Sequence, residues 1–135
     1  MKFFISCAKA LEYLMVDEAK AMAINATATM AGANAEGTLA DAERLVMFSR
    51  LASRVLWPIA HFDCRNEQDL YQGVHAIEWE RHIGPGASLA IDARISSDTL
   101  THERYAAQRV KDAIVDRLRA KTGARPDVDV EQPDV

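Results

Sequence analysis

The first forty residues alternate between a strand-like and a helix-like spacing of hydrophobic side chains. Residues 3–7 form a short continuous apolar run, which predicts a buried β-strand. Residues 9–23 place apolar side chains at helical spacing among charged ones, which predicts an amphipathic helix. Residues 26–31 and 33–39 flank Gly32, and they predict two short strands joined in a hairpin around that glycine.

The next section adds one more helix and one more strand. Asp41, followed by Glu43, predicts the start of a helix that runs to residue 52. Its apolar positions, which we expect to face inward, are Leu45, Val46, Phe48 and Leu51. Residues 54–62 are rich in Val, Leu, Trp and Ile and predict a strand, although Pro58 lies within it. The order βαββαβ is that of the ferredoxin-like unit.

A second α/β section follows near residue 65. Asn66 predicts the N-cap of a helix that extends through Ile77, and the Gly-Pro-Gly sequence at residues 84–86 predicts a turn. Residues 88–95 alternate apolar and polar side chains, as a half-buried strand does. Thr101 predicts the start of a long helix that stops at Gly123. The expected buried stripe of this helix is Ala107, Val110, Ile114 and Leu118.

The last ten residues show no hydrophobic period, so the second section is expected to lack a returning strand. The patterns therefore predict an α/β (α+β) chain with a ferredoxin-like segment at residues 1–64. A second domain at residues 65–135 is expected to be incomplete at its C-terminal end. An open sheet edge pairs with other chains. We therefore expect self-association through that edge, or a tail that runs extended against a neighbour.

Composition narrows the class of protein. The chain has 135 residues, of which 49% are hydrophobic and 27% charged, as in soluble globular domains. No apolar run reaches the roughly 20 residues of a membrane helix, so no membrane association is expected. Lys9 and Glu12 interrupt the apolar start before a signal peptide could form. Cys7 and Cys64 make no disulfide framework, which favours a reducing, cytoplasmic location.

The chain lacks the residue patterns of most catalytic sites. The four histidines have no partner at metal-ligand spacing, and no nucleophile motif is present. The Gly-Pro-Gly turn has no helix directly behind it, so it does not resemble a phosphate loop. We therefore expect no catalytic, metal-binding or cofactor-binding residues in this chain, and an enzyme in its own right is the least favoured interpretation.

Charge is unevenly distributed. The net charge is −4, but residues 104–125 carry seven basic side chains against two acidic ones. At about 100° per residue, Arg104, Lys111 and Arg119 lie on one flank of the predicted helix. Arg109, Asp112 and Asp116 lie on the other flank, where i,i+3 spacing predicts the ion pairs Arg109–Asp112 and Asp116–Arg119. Arg104 and Lys111 have no acidic neighbour on their own flank. Unpaired cations on one flank suit phosphate contacts, while the alternative is an ordinary solvated helix face. Three rings that could stack on bases lie in apolar patterns typical of a core, namely Trp57, Tyr71 and Trp79.

Four stretches together resemble a known family. They are SRLASR at 49–54, DLYQGVHAIEW at 69–79, VKDAIVD at 110–116 and RPDVD at 125–129. With Tyr105 and the Gly-Pro-Gly turn, they are similar to the amino-terminal part of THUMP-containing bacterial ribosomal RNA methyltransferases of the RlmL type. Relatives of these enzymes are often labelled N6-adenine-specific DNA methylases. Residues 23–40 match this pattern least.

The resemblance implies a fold and a function. It implies a ferredoxin-like segment followed by a THUMP domain, which binds RNA. It also implies a downstream domain, outside this chain, that uses S-adenosylmethionine to methylate guanine N2 in large-subunit ribosomal RNA. The implied partners are that RNA and the downstream methyltransferase domain. Two alternatives stay open, namely a THUMP module of a tRNA-modifying enzyme and a purely structural domain that packs on the catalytic half.

Five cations are the candidate RNA contacts. Lys111 lies within the most family-like run, and Arg104 and Arg119 share its flank of the helix. Arg50 and Arg54 come from the other cationic stretch of the resemblance. In the alternative interpretation, Arg50 and Arg54 pair with acidic residues to brace the two subdomains, and Lys111 pairs with the acidic tail.

Overall fold

The computed structural model describes residues 1–96 and 103–135. The chain divides into two compact units, which we call the N-terminal unit (Met1–His61) and the C-terminal unit (Phe62–Val135). Each unit has its own hydrophobic core.

The N-terminal unit is a four-stranded antiparallel sheet with two helices. Its elements are β1 (Lys2–Ser6), α1 (Glu12–Ala21), β2 (Asn25–Thr29), β3 (Gly32–Glu36), α2 (Leu39–Phe48) and β4 (Arg54–Leu56). The strand order is β2-β3-β1-β4, and β1 pairs antiparallel with both β3 and β4. This topology confirms the predicted ferredoxin-like βαββαβ unit.

One face of this sheet forms the core of the unit. Phe3 and Ile5 of β1 are buried, and Met15 and Ala19 of α1 and Leu45 of α2 are fully or nearly buried in the same cluster. Because side chains alternate across a strand, the residues between these strand positions point to the opposite face. The second face is therefore left without a helix layer among the described residues of the unit.

The hairpin turn lies earlier than predicted. Residues 30 and 31 connect β2 to β3, and Ala31 has a positive φ of 56°. Its backbone N–H donates to the Glu12 carboxylate at 3.1 Å, which ties the turn to α1. Gly32 is the first residue of β3 and not the centre of the turn, so the prediction of a turn at Gly32 was wrong.

The second helix also begins earlier than predicted. Thr38, not Asp41, is the N-cap: its hydroxyl accepts from the Asp41 N–H, and the Asp41 carboxylate accepts from the Thr38 N–H at 2.8 Å. This capping box satisfies backbone groups at the helix start and lowers the pKa of Asp41. Of the residues predicted to face inward, Leu45 is buried, but Val46 and Phe48 are 69% and 67% exposed.

The last strand of the N-terminal unit is short. β4 has three residues where the hydrophobic run 54–62 predicted nine, and it ends two residues before Pro58. Proline has no N–H to donate to a neighbouring strand, so continuing the ladder through it would leave an unpaired carbonyl. Trp57 packs instead on Phe3, with ring centroids 5.5 Å apart.

The C-terminal unit is built on two packed helices and a small parallel sheet. Its elements are α3 (Glu67–His75), a 3₁₀ turn (Trp79–Arg81), β5 (Ser88–Leu89), α4 (Glu103–Thr122) and β6 (Asp127–Val128). The Asn66 side chain accepts from the Asp69 N–H, which confirms the predicted cap. Helix α4 stops at Gly123, whose φ is +73°, as predicted. The predicted cap at Thr101 lies outside the described residues.

Two strand predictions in this unit were wrong. The run 88–95 forms a strand of only two residues, and the tail, expected to have no returning strand, contributes β6 parallel to β5. The backbone of residues 134 and 135 also bonds to the other side of β5, with the Ala90 N–H donating to the Val135 carbonyl at 2.9 Å. These pairings are long-range, so local periodicity does not reveal them.

The core of the C-terminal unit lies between α3, α4, the 3₁₀ turn and β5. Ile114 and Leu118 are buried as predicted, whereas Ala107 and Val110 are half-buried. Trp79 is buried, and its indole N–H donates to the Val74 carbonyl at 2.7 Å. None of the helices in residues 1–96 and 103–135 is both long enough and apolar enough to cross a membrane.

Candidate nucleic-acid interface

Helix α4, which carries six of the sixteen lysine and arginine side chains of the chain, is held in place by Arg117. Its guanidinium donates two hydrogen bonds of 2.9 Å to the Glu80 carboxylate on the 3₁₀ turn. A third donor of the same group reaches the His75 carbonyl at 3.1 Å. Arg117 therefore joins α4 to the turn and to the end of α3, and each of its three guanidinium nitrogens donates one hydrogen bond within the fold.

This forked ion pair sets the ionisation of both partners. The hydrogen bonds from Arg117 lower the pKa of Glu80 to about 2. The same contact raises the pKa of Arg117. Both side chains are therefore charged over the whole physiological pH range, and this contact is an architectural one.

A second set of side chains on α4 is engaged by Tyr71 of α3. The Tyr71 hydroxyl donates a short hydrogen bond to the Asp116 carboxylate. The guanidinium of Arg109 lies 4.6 Å from the centre of the same ring, within cation–π range. The His75 ring stacks on the Tyr71 ring, with the two ring centroids 5.8 Å apart. The hydrogen bond to Asp116, more than burial, raises the pKa of the Tyr71 hydroxyl.

The two ion pairs predicted within α4 were wrong. Neither Arg109–Asp112 nor Asp116–Arg119 is an ion pair in the part of the chain that the structure describes. Arg109 and Asp116 contact Tyr71 instead. The i,i+3 spacing could not reveal this, because the competing partner lies on another helix about forty residues away.

The three flank cations of α4 have no acidic partner within the described part of the chain. Arg104 and Arg119 are exposed and Lys111 is half-buried. In residues 1–96 and 103–135, none of the three lies within 4.0 Å of a carboxylate. An α-helix rises 1.5 Å per residue, so successive members are roughly 10–12 Å apart along the helix axis. The predicted pairing of Lys111 with the acidic tail is thus absent among the described residues.

The other two candidates lie in the N-terminal unit. Arg50 follows α2, and its backbone N–H, not its side chain, donates to the Glu18 carboxylate at 3.0 Å. Arg54 opens β4 opposite Ser6 of β1. Both side chains are exposed, and neither forms an ion pair with any described residue. The structure thus brings Arg104, Lys111 and Arg119 onto one helix and places Arg50 and Arg54 in the other unit.

Sequence comparison matches both units to known families. The THUMP domain family model matches residues 64–135, and the RlmL ferredoxin-like domain model matches residues 2–56. A protein from Syntrophotalea carbinolica, named ribosomal RNA large subunit methyltransferase K/L, is 44% identical over the full length of this chain. The chain spans only 19% of the length of that protein.

Solved structures share the fold. A Listeria monocytogenes protein described as a predicted N6-adenine-specific DNA methylase aligns with a TM-score of 0.75 at 23% identity. The alignment covers 90% of this chain and 32% of that one. A Clostridium difficile protein described as a possible methylase aligns with a TM-score of 0.77 at 21% identity, over 93% of this chain and 35% of that one. Within the chain, the part that matches the ferredoxin-like domain of the RlmL type precedes the part that matches the THUMP domain. Because the THUMP model alone covers more than half of the sequence, the chain belongs to the THUMP domain family.

Proposed function

We propose that this chain is the RNA-binding portion of a cytoplasmic, S-adenosylmethionine-dependent methyltransferase that modifies guanine N2 in large-subunit ribosomal RNA. Membership of the THUMP family and the 44% identity to a ribosomal RNA methyltransferase support the proposal. Methyl transfer itself would be carried out by a domain outside this chain. We also propose a domain boundary between residues 64 and 65.

The Gly-Pro-Gly turn at residues 84–86 does not fit an S-adenosylmethionine site. The turn at residues 84–86 leads into the two-residue strand β5 and not into a helix whose N-terminal N–H groups could bind an anionic group. The groove beside that turn is about 220 Å³. We therefore assign no step of the reaction to residues of this chain.

The observation that carries the RNA-binding proposal is the flank of α4 with Arg104, Lys111 and Arg119. The neighbouring cations Arg109 and Arg117 are engaged by Tyr71 and Glu80, whereas these three face no described carboxylate. Cations at this spacing can neutralise successive backbone phosphates, and such contacts dominate RNA affinity. Lys111 is half-buried, and a lysine in such a position can pack its apolar stem on the protein and keep its charged end in water.

The test is Lys111→Ala in this chain, with binding to a large-subunit ribosomal RNA fragment measured across a salt series. We expect weaker binding for all RNA sequences tested and a slope of log affinity against log salt that falls by roughly 1. The melting temperature should barely change, because the charge is solvated without RNA. Lys9→Ala, at an exposed lysine of the β1–α1 loop, is the matched control and should leave the slope unchanged.

The outcome also separates the alternatives. If Lys111→Ala lowers the melting temperature and leaves the salt slope unchanged, the residue is a structural brace and the proposed contact is wrong. If the unmodified chain shows no salt-dependent RNA binding, the structural-domain alternative is favoured. Tighter binding to tRNA than to the ribosomal fragment would favour the tRNA-modifying alternative.

A further inference from the structure

The second face of the N-terminal sheet, opposite its core, is not covered by the described residues of its own unit and is mainly polar. The strand registers place its side chains in three rows across the four strands. The rows are Asn25–Glu36–Lys2, then Thr27–Asn34–Phe4–Leu56, then Thr29–Gly32–Ser6–Arg54. We call this surface the open sheet face. It belongs to β1–β4 and is separate from the α4 flank.

The open sheet face has one aromatic ring among its described residues, and that ring lies against a glycine. A Cβ built at Gly32 would be 2.6 Å from Cζ and 3.1 Å from Cε2 of Phe4, so the ring covers the position where a side chain would stand. The ring is half-buried, with its remaining surface facing outward. An aromatic ring seated on the middle strands of an open four-stranded sheet is a surface on which an unpaired base can stack.

On the β3 and β2 side of Phe4, the side chains of its row are uncharged hydrogen-bonding groups. Asn34 lies directly opposite Phe4, and Thr27 lies beyond Asn34 in the same row. Both are exposed, and their side chains form no hydrogen bond with any described residue. Together with Asn25 they line an open groove of about 470 Å³. Amide and hydroxyl groups can donate to and accept from base edges, which carry both kinds of atom.

Two basic side chains on this face favour binding of the anionic backbone of a nucleic acid. Arg54 lies at the β4 end of the third row, and Lys2 lies in the first row beside the single carboxylate of the face, Glu36. A protein-docking core would need a cluster of large apolar side chains, and here Phe4 and Leu56 are the two such residues. The chemistry of the face therefore suits a nucleic-acid strand better than an apolar protein surface.

We propose that the open sheet face binds a single-stranded segment of RNA, with one base stacked on Phe4. Asn34 and Thr27 would contact base edges, and Arg54 a phosphate. A duplex would not fit this chemistry, because its bases are already stacked and paired. This proposal rests on the proposed function only in taking RNA as the ligand. Its residues lie in the N-terminal unit, whereas Lys111 lies in the C-terminal unit.

The first test is Phe4→Leu, with binding of a short single-stranded RNA that carries 2-aminopurine as a fluorescent base. In the unmodified chain we expect the fluorescence of the base to be quenched by stacking. Loss of one base–aromatic stack should lower affinity by roughly 5- to 150-fold and abolish the quenching. Tyr13→Leu is the matched control, because Tyr13 is a 79% exposed aromatic on α1, away from this face. It should bind and quench normally.

A second variant covers the case in which Phe4→Leu disturbs folding. Asn34→Asp changes a fully outward side chain and adds a negative charge beside Phe4, so it should weaken single-strand binding without lowering the melting temperature. If both folded variants bind and quench like the unmodified chain, the proposal is overturned.

The proposal can also fail independently of the proposed function. If the chain binds ribosomal RNA with a salt slope that depends on Lys111 but neither sheet variant changes binding, only the sheet proposal fails. If the unmodified chain binds no RNA, both fail. If Phe4→Leu dissociates a dimer in sedimentation and leaves RNA binding unchanged, the face is a protein interface and the sheet proposal is wrong.

Discussion

At Gly32, the close approach of two strands leaves no room for a side chain. A Cβ there would meet the carbonyl oxygen of Ile5 on β1 as well as the ring of Phe4. The backbone oxygen cannot move without breaking the ladder between β1 and β3, in which Ile5 lies opposite Ala33. The glycine is therefore required by packing between strands and not by a turn conformation, which the neighbouring Ala31 adopts.

We expect Gly32→Ala to lower the free energy of unfolding by about 1–3 kcal/mol, the usual cost of forcing extra atoms into a packed site. Urea denaturation followed by circular dichroism measures this change. Gly84→Ala is the matched control, because a Cβ at Gly84 has no atom within 4 Å, and its effect should stay within about 0.5 kcal/mol. Equal stability of the two variants would contradict the packing argument.

At the scale of elements, α4 is attached to the rest of its unit by a polar contact as well as by its apolar stripe. The Glu80 and Arg117 side chains are only 27% and 14% exposed, and together they connect the 3₁₀ turn to the C-terminal half of α4. By contrast, the Arg81–Glu78 pair on the same turn is mostly solvent-exposed, so it should contribute little to stability.

The Glu80–Arg117 contact predicts a dependence of stability on pH. In the folded chain the pKa of Glu80 is about 2, whereas in the unfolded chain this carboxyl protonates near its ordinary pKa of 4.5. The stabilisation is thus fully present above pH 4.5 and is lost as the pH falls towards 2. Glu80→Gln should therefore be less stable than the unmodified chain at pH 7, and the difference should shrink steadily as the pH falls from 4.5 towards 2.

Chemical denaturation at pH 7, 4 and 2.5 tests this expectation. Glu78→Gln, which removes the exposed pair with Arg81, is the control. Its free energy of unfolding should differ from that of the unmodified chain by the same amount at all three pH values. A constant difference between Glu80→Gln and the unmodified chain over the whole range would show that the Glu80 charge does not stabilise the fold.

For the whole molecule, the sheet edges determine whether copies of the chain can associate. In the C-terminal unit, β6 bonds to one side of β5 and residues 134 and 135 bond to the other. In the N-terminal unit, the outer edge of β2 has no partner strand among the described residues. Its sequence, Asn-Ala-Thr-Ala-Thr, contains neither proline nor lysine to prevent pairing with another strand.

Self-association through an open sheet edge therefore stays a prediction. We expect sedimentation velocity to show a shift towards dimers as the concentration of the chain rises. Ala28→Pro, which removes an edge N–H on β2, should reduce that shift, whereas Ala40→Pro, in the first turn of α2, should not. A single monomeric species at every concentration would contradict the prediction.

The sequence by itself determined those features that depend on neighbouring residues. The order of the first six elements, the cap at Asn66 and the stop at Gly123 follow from local spacing and backbone preference, and the structure confirms them. The four family-like stretches were sufficient to identify the THUMP family. Whether Arg104, Lys111, Arg119, Arg50 and Arg54 contact RNA is still a prediction.

Only the tertiary structure decided which groups meet across distant parts of the chain. The short β4, the parallel pair β5–β6, and the contacts of Arg109 and Asp116 with Tyr71 all depend on partners far away in sequence. Likewise, the strand register is what brings Phe4, Gly32 and Asn34 together on one face. The physical reason is that a local pattern determines which side of an element is apolar, whereas packing determines which polar group lies opposite it.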